Sequence, residues 1–119
     1  MVFNVLASNR DDHTRQHSYL MDAQGQWRLA PAYDLTYSAG PGGEHYLDVE
    51  GEGRNPTRGQ VQALGRRHSL SDRLINATID EVRAAVAEWP RFAKDAGVTR
   101  ASRAEILAAH QAVEAAFST

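Results

Sequence analysis

Two aspartates, two histidines and two arginines fall within residues 9–17, Asn-Arg-Asp-Asp-His-Thr-Arg-Gln-His. Three kinds of chemistry are open to such a segment. A metal centre would draw on Asp11, Asp12, His13 and His17, but His13 and His17 share a face only on a helix, and no apolar periodicity makes this run helical. A solvated turn would ask nothing of these side chains. Phosphoryl transfer asks for a carboxylate beside the attacking hydroxyl, oxygen ligands for magnesium and a cation near the phosphates. Asp11, Arg15, Gln16 and the later Asp34 supply those types. Magnesium takes hard oxygen donors, so the Asp34 carboxylate and an amide oxygen suit it better than imidazole.

These residues need elements to bring them together. Seventeen residues separate Gln16 from Asp34. Within them, Ser18 to Met21 and Trp27 to Leu29 flank Asp22-Ala23-Gln24-Gly25-Gln26, the pattern of a β-hairpin. A hairpin returns the chain to its start, which carries Asp34 back toward residues 11–16. Residues 2–8 look like the end of a buried helix with no start signal. Residues 30–39 should be irregular, Gly40 to Gly43 a turn, and His45 to Val49 a short strand. The second half is helical. Thr57 and Gln60 form a capping box opening a helix to about Leu64. Apolar residues at three-to-four spacing, including Leu74, Ile75, Ile79, Val82 and Val86, make an amphipathic helix over 72–88. Pro90 opens another turn that runs to Gly97. Ser102 and Glu105 suggest a second capping box for a last helix with Ile106, Ala109, Val113 and Phe117 on its apolar side. The fold class expected is mainly α with a small β-hairpin.

The totals narrow the function. The chain has 119 residues, one modest domain, with residues 1–50 as the loop and hairpin region and 51–119 as the helical region. Thirteen Lys and Arg against 15 Asp and Glu give a net charge of -2, so no nucleic-acid binding by bulk charge is expected. Hydrophobic residues make up 42 %, enough for a packed core. With no cysteine there is no disulfide, thiolate metal site or cysteine nucleophile. No apolar run of membrane length and no signal peptide appears, so a cytoplasmic chain without membrane association is expected. Arg66-Arg67-His68 is a basic cluster at a helix end, a place where cations complement the dipole.

"NRDDHTRQHSYLMD" followed by "WRLAPAYDLTYS" resembles the C-terminal part of HipA-like serine/threonine kinases, the toxin kinases of HipA/HipB-type toxin–antitoxin systems. The family's loop reads approximately Asn-x-Asp-x-His-x-Lys-Asn, and its later motif Pro-x-Tyr-Asp. "GGEHYLDVEGE" and "IDEVRAAVAEWPRFAKDAGV" are similar to the segments that follow in the family. The resemblance implies a helical C-terminal lobe of a protein-kinase-like fold. It puts Asp11 at the catalytic-base position, His13 at the loop histidine that braces the site, and Asp34 at the magnesium aspartate. Arg15 stands where the family has lysine and would contact phosphate. Gln16 stands where the family has a metal-binding asparagine and is one methylene longer. ATP and Mg2+ are the implied cofactors, a protein Ser/Thr hydroxyl the acceptor, and a DNA-binding, HipB-like antitoxin the partner.

The family's nucleotide-binding lobe has no counterpart here. The chain is therefore expected to be a C-terminal catalytic-lobe fragment, inactive alone, with an interaction module that binds an antitoxin or a separate N-terminal half as the alternative. An apolar face left bare around Val2, Phe3, Val5 and Leu6 is expected to drive self-association.

Overall fold

The structure is a computed structural model that describes residues 1–118. Five helices and one hairpin follow in order: α1 Val2–Leu6, β1 Tyr19–Met21, β2 Trp27–Leu29, α2 Arg58–Arg67, α3 Asp72–Ala87, α4 Trp89–Asp95 and α5 Arg100–Phe117. Short 3-10 turns occupy Thr14–Gln16 and Pro41–Gly43. The fold is thus mainly helical with a small antiparallel hairpin. No helix among the described residues is long and apolar enough to cross a membrane.

The helix starts follow from their caps. The Thr57 hydroxyl accepts the Gln60 amide while the Gln60 side chain accepts from the Thr57 backbone, the expected capping box. Helix α2 runs on to Arg67, one turn beyond the expected end, and stops where Ser69 turns left-handed. Ser71 caps α3, and the left-handed Gly97 ends the turn after α4. The last helix starts three residues earlier than its second capping box implied. Thr99 is the cap, accepting the Ser102 amide, and the Ser102 hydroxyl bonds the Thr99 hydroxyl instead of starting a helix of its own.

Helix α1 is too short to hold itself, so packing holds it. It lies against α3 and α5. Val5, Leu6, Val49, Val61, Ile75, Ile79 and Phe117 form one buried cluster. Helices α2 and α3 close tightly because Gly65 has no side chain: a Cβ there would meet the Ile75 side chain at 2.8 Å.

Two expectations need correction. The face around residues 2–6 is bare only in part, since Val5 and Leu6 are buried where α1 packs on α3 and α5, whereas Phe3 is exposed and Val2 partly covered. Val49 makes only an isolated bridge to Glu52, and His45 to Val49 is not a strand. The Leu47 amide goes to Asp12, and the Tyr46 amide is shared between Asp12 and the Arg10 carbonyl.

The hairpin stands off the core. Its register pairs Tyr19 with Leu29 and Met21 with Trp27, so these four side chains share one face. All four are between 58 and 67 % exposed. The turn is set locally: the Asp22 carboxylate accepts the amides of Gln24 and Gln26, and Gly25 is left-handed.

Candidate functional site

Two chain crossings assemble the site. Residues 8–10 run parallel to Ser38, with Ser38 N–H donating to Ser8 O at 2.9 Å and Arg10 N–H to Ser38 O at 3.3 Å. Asn9 is buried between them. Its amide donates to Asn4 Oδ1 of α1 at 3.2 Å and to the Asp34 carbonyl at 3.3 Å. One side chain therefore ties the first helix, the polar loop and the Pro-x-Tyr-Asp motif. Ser8 and Asp34 both sit at left-handed φ, 53° and 54°, which non-glycine residues hold only when their surroundings impose it.

Buried polar atoms without a partner concentrate here as well. Among the described residues they include Ser8 Oγ, Asn9 Oδ1, Arg10 Nε and His13 Nδ1, four in one six-residue stretch. Such groups are costly, and their clustering in one loop marks it as shaped for something other than stability.

The side chains singled out by sequence form a run of contacts. Asp11 Oδ1 lies 3.8 Å from His13 Nε2. His13 Nε2 lies 3.5 Å from Gln16 Nε2, and Gln16 Nε2 donates to Asp34 Oδ2 at 2.5 Å. Asp11 and Asp34 thus stand at the ends of one short chain of polar groups, brought there by the hairpin between them. Arg15 is exposed beside them, and the same turn offers its carbonyl to the Tyr33 hydroxyl at 2.7 Å. That hydroxyl also meets Ser18 Oγ at 2.8 Å. Tyr33 is 40 % exposed and anchored by its oxygen, not packed in the core as its sequence context suggests. His17 is exposed and outside the run.

Asp12, next to the expected catalytic residue, is the best-buried charge of the site at 3 % exposure. Its sequence context suggests a loop-capping or solvent-facing carboxylate; it caps, but from inside. Its Oδ1 accepts the amides of Tyr46 at 2.9 Å and Leu47 at 3.3 Å, and its Oδ2 accepts His45 Nδ1–H at 3.0 Å. Tyr46 then sets its ring edge-on against His13, 5.7 Å between centroids. Asn9, Asp12, Tyr33 and Tyr46 are the positioning residues that sequence reasoning left out. Asn9 and Tyr33 had a signal, as the first residue of the loop motif and the tyrosine of Pro-x-Tyr-Asp.

Burial lowers the His45 pKa below its ordinary value; Asp12 opposes that shift and Arg10 adds to it. Burial also lowers the pKa of His110, which bonds the Ala7 carbonyl at 3.2 Å. Both imidazoles are therefore neutral in the folded chain at pH 7. The unfolded chain takes up these protons first, near the ordinary histidine pKa of about 6.5. Stability is then fully present above that pH and falls as pH drops through it toward the lowered folded values. Urea unfolding should give a smaller free energy at pH 5.5 than at 7.5; a larger one would mean that these histidines carry charge in the fold.

Among the described residues there is no group of three or more His, Cys, Asp or Glu placed to hold a metal. A transition-metal centre has no donor set here. Asp34 and the amide of Gln16 are a hard-oxygen pair, which fits magnesium, an ion that keeps several waters and binds through one or two carboxylates plus phosphate oxygens. The basic cluster at the end of α2 is spent on neighbours, with Arg66 paired to Asp72 at 2.7 Å and Arg67 paired to Glu50.

A family model described as the HipA-like C-terminal domain matches residues 1–90. No curated protein and no solved structure gives a significant match. The matched span takes in the polar loop, the hairpin, the Asp34 motif and the Asp12–His45 anchor, and it covers 90 of 119 residues. On that match the chain belongs to the HipA-like C-terminal domain family.

Proposed function

We propose that this chain carries the catalytic-loop and magnesium half of the active site of a HipA-like serine/threonine kinase. The observation behind the reading is the contact run from Asp11 through His13 and Gln16 to Asp34. In it, Asp11 accepts the proton of an acceptor Ser or Thr hydroxyl as that oxygen takes the γ-phosphoryl group and ADP leaves. Arg15 faces solvent where its guanidinium can meet phosphate oxygens. His13 is a brace between Asp11 and Gln16. Asp34 and Gln16 hold magnesium, which when bound offsets phosphate charge. The acceptor is a protein hydroxyl, and a DNA-binding antitoxin is the regulatory partner.

Alone, the chain is silent. Its single lysine, Lys94, lies on α4, away from the loop motif, so no lysine is placed to hold nucleotide phosphates. Its glycine-rich stretch follows Asp34 and folds into the Pro41–Gly43 turn. The bare hairpin face favours a companion reading in which the same chain also docks a second polypeptide.

Mn2+ serves as a paramagnetic substitute for Mg2+. It should broaden the amide resonances of Asn9, Gln16 and Asp34 in the chain. Asp34→Asn should abolish the effect and His17→Ala should leave it intact. Broadening that survives Asp34→Asn, or is spread over the acidic surface, would refute the metal assignment.

A further inference from the structure

The Gln16 amide closes on the Asp34 carboxylate. We infer that this amide is a placeholder for the cation, occupying the carboxylate while no ion is bound. The inference rests on the reading of Asp34 as a magnesium ligand.

The geometry allows one assignment of the amide. Gln16 Nε2 lies 2.5 Å from Asp34 Oδ2. Were the oxygen of the amide in that position, two oxygens bearing negative charge would face each other at that distance with nothing between them. The N–H2 group therefore faces the carboxylate, and a donor to a charged acceptor makes a strong bond. The ion needs the opposite arrangement, with the amide oxygen turned toward the Asp34 side. Two oxygens at right angles on an octahedral magnesium, at about 2.1 Å each, lie about 3.0 Å apart. The 2.5 Å contact is about 0.5 Å inside that edge. A turn of the amide about its last torsion and a small outward shift convert the closed pair into two neighbouring ligands.

The extra methylene of Gln16 makes this possible. The side chain projects from the end of the Thr14–Gln16 turn across to Asp34. An asparagine at the same position is shorter by one carbon. It keeps the amide oxygen but falls short of closing on the carboxylate. The cation must displace the Gln16 contact before it binds, so glutamine lowers affinity for the ion relative to asparagine. His13 Nε2, 3.5 Å from the same amide nitrogen, offers a resting partner within the turn.

Calorimetric titration of Mg2+ and Mn2+ into the whole chain tests this. Gln16→Asn is expected to bind about tenfold more tightly than the unsubstituted chain, the factor that corresponds to about 1.4 kcal/mol. Equal or weaker binding by Gln16→Asn overturns the placeholder while leaving Asp34 as a ligand. Absence of binding to both proteins overturns the placeholder together with the magnesium reading. A second measurement needs no variant of Gln16. Its side-chain N–H2 resonances should be displaced in the ion-free chain, move to ordinary positions in Asp34→Asn, and move likewise when Mg2+ is added. Resonances that ignore both changes show that the amide does not close on Asp34.

Discussion

Asp12→Ala is expected to cost the fold about 2–4 kcal/mol, at about 1–2 kcal/mol for each of two buried donors left without an acceptor. The Leu47 amide and His45 Nδ1–H lose their acceptor, while the Tyr46 amide keeps the Arg10 carbonyl at 3.2 Å. The amides of Tyr46 and Leu47 and the Nδ1–H of His45 all end on this carboxylate, and both Asp12 and His45 are buried. The two donors left without an acceptor carry their desolvation cost. Asp12→Asn is the informative companion. The amide oxygen still accepts from the two backbone amides, and the imidazole shifts its proton to Nε2 so that Nδ1 accepts from the new N–H2. Its cost should be about 1–2 kcal/mol. Urea denaturation at pH 7.5 separates the two; an Asp12→Ala cost below about 1 kcal/mol would place the pair in effective contact with water. Asp12→Ala should also free Tyr46, and with it the ring that rests on His13.

What could be read from the chain divides by sequence distance. The hairpin, the first capping box and the amphipathic α3 were legible because each is set by residues within a few positions: Asp22 with Gly25, Thr57 with Gln60, Ile75 with Ile79. The site motifs were legible as residue types, and the hairpin between them fixed their meeting. The anchor beneath them was not. Asp12 and His45 lie 33 positions apart, and nothing local in either marks a partner. The same contact helps explain why His45 to Val49 fails as a strand despite weak alternation, since two of its amides, Tyr46 and Leu47, reach the Asp12 carboxylate. The left-handed turns at Ser8 and Asp34 were also hidden, because such a backbone is uncommon outside glycine; aspartate adopts it more readily than most residues, but its type alone does not mark the position. The start of α5 was expected at Ser102, and Thr99, three residues earlier, takes the cap instead. Thr99 follows the left-handed Gly97, and its hydroxyl accepts the Ser102 amide.

Phe117→Ala is the second large effect, expected at about 3–5 kcal/mol. Phe117 has no exposed surface and is the largest fully buried side chain among the described residues. It comes from the last turn of α5 and packs into the cluster that holds Val5 and Leu6 of α1. Helix α5 lies beyond the span matched by the family, yet α1 depends on it: Val113 packs against the same cluster and His110 bonds the Ala7 carbonyl. A domain of this size holds about 5–15 kcal/mol in total, so the alanine variant should unfold at clearly lower urea, whereas the exposed Glu105→Ala should stay within about 0.5 kcal/mol. Ending the chain at residue 90 removes all three contacts and should abolish the cooperative transition; a sigmoidal melt from residues 1–90 would show that α5 is dispensable. The consequence reaches the site through one residue. Asn4 on α1 holds Asn9, and Asn9 holds the Asp34 carbonyl. A loosened α1 therefore releases the backbone that carries the proposed magnesium ligand, and Phe117→Ala should weaken Mn2+ binding although no atom of Phe117 touches the ion.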